Sequence, residues 1–184
     1  FGWPAIHVRQ GKDPEVKAEN ICIDVGCTSK EEVEKLGIHV GAVAVFEAGS
    51  EWLNEKFLIG RALDNRMGGF MIAEVARHIK EQKIELPFTL YVVNSVQEEI
   101  GLRGAEMISR RLAPDVAIVT DVTHDTYSPM YNKKLQGDTK CGKGPVVTYG
   151  PAVQNNLLQF IINTAKESKI DFQRNAVSRS TGTD

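Results

Sequence analysis

The sequence predicts an α/β protein in which a mostly parallel mixed sheet is flanked by helices on both faces, preceded by a small β-rich region. Three observations carry this. Residues 58–184 alternate strand-type apolar runs with runs of helical period, the pattern of a three-layer α/β/α arrangement, incomplete in this chain. Residues 1–57 read as short β-type runs and turns around one small helix. The composition is that of a globular domain: 184 residues, 42% hydrophobic, 16 glycines and a net charge of −2. It excludes collagen, a charged tail and a chain too polar to bury a core. No basic stripe offers itself to nucleic acid. The longest apolar runs fall far below the roughly 20 residues of a membrane span.

Within the first region, Ile6-His7-Val8, Ile21–Val25 and Gly41–Phe46 are strand-like. A helix lies between the last two: Ser29 and Glu32 form an S-x-x-E capping box, Val33 and Leu36 supply apolar contacts, and Gly37 ends it. From residue 57 the alternation begins, with Phe57–Leu63 as a short strand. A helix runs from Asn65 to about Gln82, with Met67, Met71, Val75 and Ile79 at helical spacing. Pro87 introduces the β-branched and aromatic run Phe88–Asn94, predicted as a buried strand. Gly104–Leu112 is a second helix, Asp115–Thr120 and Pro145–Tyr149 are strands, and Gln154–Ser168 is a third helix. The last strand is Phe172–Val177, and Tyr127–Lys143 is a loop.

In open α/β sheets, ligands bind beyond the carboxyl ends of the strands. Asp64 follows one predicted strand, Glu98 and Glu99 follow the next, and Asp121 follows a third. Any one of these acids alone reads as a helix cap or a solvated turn residue. At three successive strand ends they read as a site, because converging carboxylates repel one another unless cations neutralise them. Several carboxylates suggest two ions bridged by one of them. Within the Glu98-Glu99 pair, neighbouring side chains point in different directions. One can therefore bind a metal while the other serves as general base toward the attacking water. Zinc draws on nitrogen or sulfur, and no histidine stands at a strand end, so the residues alone point to magnesium or manganese.

The remaining metal-binding residue types add little. His7, His39 and His78 read as structural or surface residues. His124, three residues past Asp121, is a candidate at the edge of the site. Cys22, Cys27 and Cys141 have neither zinc-knuckle nor CxxC spacing and read as buried reduced thiols, suited to a reducing cytoplasm. The chain opens on Phe1-Gly2-Trp3-Pro4 and stops at Thr181-Gly182-Thr183-Asp184, without initiator Met, signal pattern or cap. It reads as an internal piece of a longer protein.

Three blocks carry a resemblance: Gly60-Arg61-Ala62-Leu63-Asp64-Asn65-Arg66, Val96-Gln97-Glu98-Glu99-Ile100-Gly101-Leu102-Arg103-Gly104-Ala105, and Thr120-Asp121-Val122-Thr123-His124. In order and spacing they resemble the signature blocks of the glutamyl/deblocking aminopeptidases, cytosolic dinuclear metallopeptidases that include tetrahedral (TET) particles. Pro4-Ala5-Ile6-His7 and Ile23-Asp24-Val25-Gly26 resemble the same family's inserted β-barrel domain, and Thr181–Asp184 resembles a block near its substrate pocket. The resemblance implies that residues 1–57 are part of that dimerisation-type barrel and residues 58–184 the central part of the catalytic domain.

It further implies that Asp64 bridges two metals, with a cis peptide after it, that Glu99 and Asp121 each ligate one, and that Glu98 is the general base. The implied cofactors are two divalent ions, zinc first, with cobalt or manganese as alternatives. The family also has a histidine on each metal, one in an N-terminal H-x-D motif and one late in the chain. Neither position exists in these 184 residues, and His7 belongs to the barrel-type motif.

The implied activity is removal of N-terminal residues from peptides by a cytoplasmic homo-oligomer, dimer to dodecamer, with this piece inactive by itself. Competing readings are another co-catalytic metallohydrolase such as a deacylase, an endoglucanase-type glycosidase with two carboxylates, and a non-catalytic assembly module. A chelator separates a metallopeptidase from a two-carboxylate glycosidase.

Overall fold

The computed structural model describes residue 7 and residues 17–47, 49–179 and 181–183. The chain divides into two compact units, Phe1–Glu47 and Ala48–Asp184.

In the first unit a 3₁₀ turn, Ala18–Asn20, precedes helix α1, Lys30–Lys35. The capping box forms as its sequence dictates. Ser29 Oγ accepts from the Glu32 amide at 3.2 Å, and the Glu32 carboxylate accepts from the Thr28 amide at 2.8 Å and the Thr28 hydroxyl at 3.1 Å. The Thr28 bonds, backbone first, pull the Glu32 carboxyl below its usual pKa. Gly37, at φ +80°, ends the helix by donating to the Glu34 carbonyl while Ile38 donates to Val33.

The flanking expectations differ from what is found. Among the described residues, 21–25 and 41–46 carry no strand ladder, and Ile23, Val43, Val45 and Phe46 are exposed. β-branched residues favour strands through packing against cross-strand neighbours, so residue type alone does not make a ladder. The Ile6–Val8 strand lies outside the described residues except for His7, which is exposed. The thiols are not buried either: Cys22 is exposed and Cys27 half-buried here, and Cys141 is exposed in the second unit.

The second unit opens with a hairpin, β1 (Ser50–Leu53) antiparallel to β2 (Phe57–Gly60), with Trp52 opposite Leu58. Helix α2 (Leu63–Glu81) follows, then α3 (Arg103–Leu112), the short α4 (Lys133–Gln136) within the predicted loop, strand β3 (Val146–Tyr149), helix α5 (Asn155–Glu167) and strand β4 (Gln173–Ala176). β3 and β4 pair in parallel, Val146 with Gln173 through Tyr149 with Ala176, giving a β–α–β unit as the alternation predicts. α5 begins at Gln154, whose side chain accepts from the Leu157 amide at 2.6 Å, and packs against β3. Its Leu158 and Ile162 are buried, Ile162 only 1% exposed.

The expected continuous parallel sheet is replaced, among the described residues, by these two separate strand pairs. Residues 88–94, predicted as a buried strand, and 115–120, predicted as another, carry no ladder among the described residues, and Phe88, Leu90, Tyr91, Val92, Val116, Ile118 and Val119 are exposed. A strand is a property of a pair: side-chain type selects segments able to enter a sheet, but hydrogen bonds to a neighbour make one. Met67, Met71 and Val75 of α2 are likewise exposed.

The loop before β3 is nonetheless tightly tied. Buried Thr126 and Thr139 satisfy each other through three hydrogen bonds of 2.9–3.0 Å. Gln173 of β4 receives the Lys140 amide at 2.8 Å and donates to the Lys140 and Gly144 carbonyls at 3.0 Å. Among the described residues no helix is long and apolar enough to cross a membrane.

Candidate active site

Three segments of the second unit bring the site together. The first is the entry to α2. Ala62 adopts a left-handed conformation, Asp64 and Asn65 are non-helical, and the Asp64–Asn65 peptide is cis. Asn65 is held at both ends of its amide: Nδ2 donates to the Thr120 carbonyl and Oδ1 accepts from the Gly68 amide, both at 2.8 Å.

The second segment is the turn from Val96 into α3. Gln97 and Leu102 have positive φ, and Gly101 sits at φ +114°, a conformation that favours glycine. The amides of Gly101 and Leu102 both donate to the Glu98 carbonyl at 3.0 Å, and the Gly104 amide donates to Val96 at 2.9 Å. Buried Gly104 lies so close to the Val96 backbone that a Cβ would overlap it. This turn presents Glu98, half-buried, beside an exposed Glu99. The third segment ends at Asp121, whose Oδ1 accepts from the Val122 amide at 2.7 Å.

Asp64, Glu98, Glu99 and Asp121 line one cleft of about 490 Å³ together with Gly101, Leu102 and Gly182. The described residues lining it include no lysine or arginine, so four acids face one volume without a cationic side chain on its wall. Such a wall attracts cations, because each carboxylate raises the cost of charging the others. Among the described residues no three Asp, Glu, His or Cys side chains converge closely enough to hold one metal ion by themselves.

All four acids named from the sequence thus come to one cleft. None of the four histidines lines it. His39 and His78 are exposed, and His124 is held by Tyr131, whose hydroxyl lies 3.0 Å from Nδ1. Asn65 stands out in the structure and not in the sequence. Its signal was position, immediately after a candidate ligand and three residues before a glycine, but a single amide has no periodicity to mark it.

The fold and cleft place the chain among α/β proteins with an acid-lined site. More particularly, it belongs to the M42 glutamyl aminopeptidase family, whose model matches residues 1–184. It is 36% identical over 178 residues to a lysyl aminopeptidase of Pyrococcus furiosus, covering 96% of this chain and 49% of that protein. It is 30% identical over 167 residues to a glutamyl aminopeptidase of Lactococcus lactis, covering 89% and 45%. Among solved structures it is similar to a TET aminopeptidase from the marine sediment archaeon Thaumarchaeota archaeon SCGC AB-539-E09. That match has a TM-score of 0.73 and 35% identity, over 92% of this chain and 48% of that one. The chain spans about half the length of the relatives it matches.

Proposed function

We propose that the full-length protein is a metal-dependent aminopeptidase that removes N-terminal residues from peptides. The observation that carries this reading is the convergence of Asp64, Glu98, Glu99 and Asp121 from three segments onto one cleft whose described wall holds no cation. Family membership and the aminopeptidase names of the relatives support it.

The donor set suits hard or borderline divalent ions, zinc first, with cobalt or manganese as alternatives. Asp64 would be shared by two ions, with Glu99 on one and Asp121 on the other. Each ion then draws on two of these carboxylates, so the reading requires no three-donor cluster within this chain. The nitrogen ligands would come from the part of a family-length polypeptide that this chain does not span. That part would also cover the exposed apolar faces of residues 88–93 and 116–119.

When bound, a pair of divalent ions lowers the pKa of a water and polarises the scissile carbonyl. Glu98, half-buried in the turn before α3, takes the proton of the attacking water and returns it to the leaving amine. The nearby carboxylates, together with one bound ion, would hold the free α-amino group of the substrate, which confines cleavage to the N-terminal residue. Gly182 lines the same cleft. The working form is a cytoplasmic homo-oligomer, from dimer to dodecamer, in which residues 1–57 contribute part of a β-barrel that pairs subunits.

The test is Glu98→Gln in the full-length protein. Loss of a general base costs about 10²–10⁴-fold in turnover, while metal content should stay at the parental level. A chelator should abolish parental activity, and added Zn²⁺ or Co²⁺ should restore it. Parental turnover in Glu98→Gln, or chelator-resistant peptidase activity, refutes the proposal.

A further inference from the structure

We propose that Asn65 is a positioning residue that sets the span between Asp64 and Asp121, and with it the geometry in which the two acids can share a pair of cations. The inference rests on the two-metal reading above. Asn65 follows Asp64 directly, and Thr120, whose carbonyl it holds at 2.8 Å, precedes Asp121 directly. One side-chain hydrogen bond therefore ties the backbones next to two site acids that lie on different segments, across a separation of 55 residues. The other end of the amide is fixed by the Gly68 amide at 2.8 Å, so the group has no free rotamer about its terminal bond.

Gly68 completes the clamp. It is buried, and a Cβ there would lie 2.6 Å from Asn65 Oδ1, 2.7 Å from Nδ2 and 2.9 Å from Cγ. The glycine therefore leaves room for the amide. The position demands a donor and an acceptor at once, on a side chain of this length. Leucine matches the volume and supplies neither. Removing such a support typically costs metal sites roughly 10–100-fold in affinity.

The experiment uses full-length protein, stripped of metal and titrated with Co²⁺, with stoichiometry, affinity and the visible d–d absorption as readouts. The parent should take two ions. Asn65→Leu should keep a cooperative melting transition but bind the second ion at least tenfold more weakly, with altered absorption intensity. Gly68→Ala drives one methyl against the amide while favouring the helix. It carries the same test should Asn65→Leu not fold. A parent that takes two ions beside variants with parental affinities and spectra overturns this inference alone. A parent that takes up no Co²⁺ overturns the metal reading and this inference with it.

Discussion

Replacing Gly104 by alanine sets two effects of opposite sign against each other. Gly104 is the second residue of α3, where alanine is favoured over glycine by up to about 1 kcal/mol. Against this, a Cβ at 104 would lie 2.6 Å from the Val96 nitrogen and 3.1 Å from its carbonyl carbon, and closer still to its oxygen. These are backbone atoms, and no rotamer change relieves the overlap. Overpacking of this kind costs about 1–3 kcal/mol. If the segments part, the Gly104–Val96 hydrogen bond of 2.9 Å is weakened too, worth about 1 kcal/mol. The balance is a net destabilisation of about 1–3 kcal/mol, read from denaturant midpoints of full-length protein at unchanged slope. Since the same contact holds the turn carrying Glu98 and Glu99, the peptidase turnover proposed for the full-length protein should fall as well. A Gly104→Ala protein more stable than its parent would show that helix propensity governs the site and that the close approach to Val96 is not a constraint.

Two further outcomes follow from the packing and the cap. Ile162, 1% exposed on α5, is the most thoroughly buried apolar side chain among the described residues. Ile162→Ala should cost about 2–5 kcal/mol in urea unfolding and Ile162→Val about 0.5–1.5 kcal/mol, so near-equal effects would refute its core role. The Glu32 carboxyl, held down by Thr28, should titrate below its usual value of 4.5 when followed by NMR. Because its folded pKa is the lower one, its contribution to α1 is present above the unfolded value and is lost as pH falls through the folded one. Thr28→Val, which removes the hydroxyl but not the amide, should move that titration only part of the way back.

Local chemistry was legible wherever the determining partners were near in sequence. Ser29 and Glu32 define the start of α1 because both halves of the capping box lie within one turn. Leu157, Leu158, Ile161, Ile162 and Ala165 of α5 recur at helical spacing, and of these Leu158 and Ile162 are buried. Asp64, Glu98, Glu99 and Asp121 were legible as a group because α/β topology brings successive segment ends to one side, and the cleft they line follows. The β1 strand was not legible. Ser50–Leu53 is too short to stand out, and it exists through its register with Phe57–Gly60.

Sequence by itself determined which segments could enter helix or sheet, where the capped helix α1 starts, and which acids come to one cleft. Those preferences arise within a residue and its nearest neighbours. Tertiary structure alone decided that residues 88–94 and 115–120 carry no ladder among the described residues, and the register in which Val146–Tyr149 pairs with Gln173–Ala176. It alone disclosed that the amide of Asn65 reaches Thr120. Hydrogen bonds between distant segments are properties of pairs, and the residue type at either end does not name its partner.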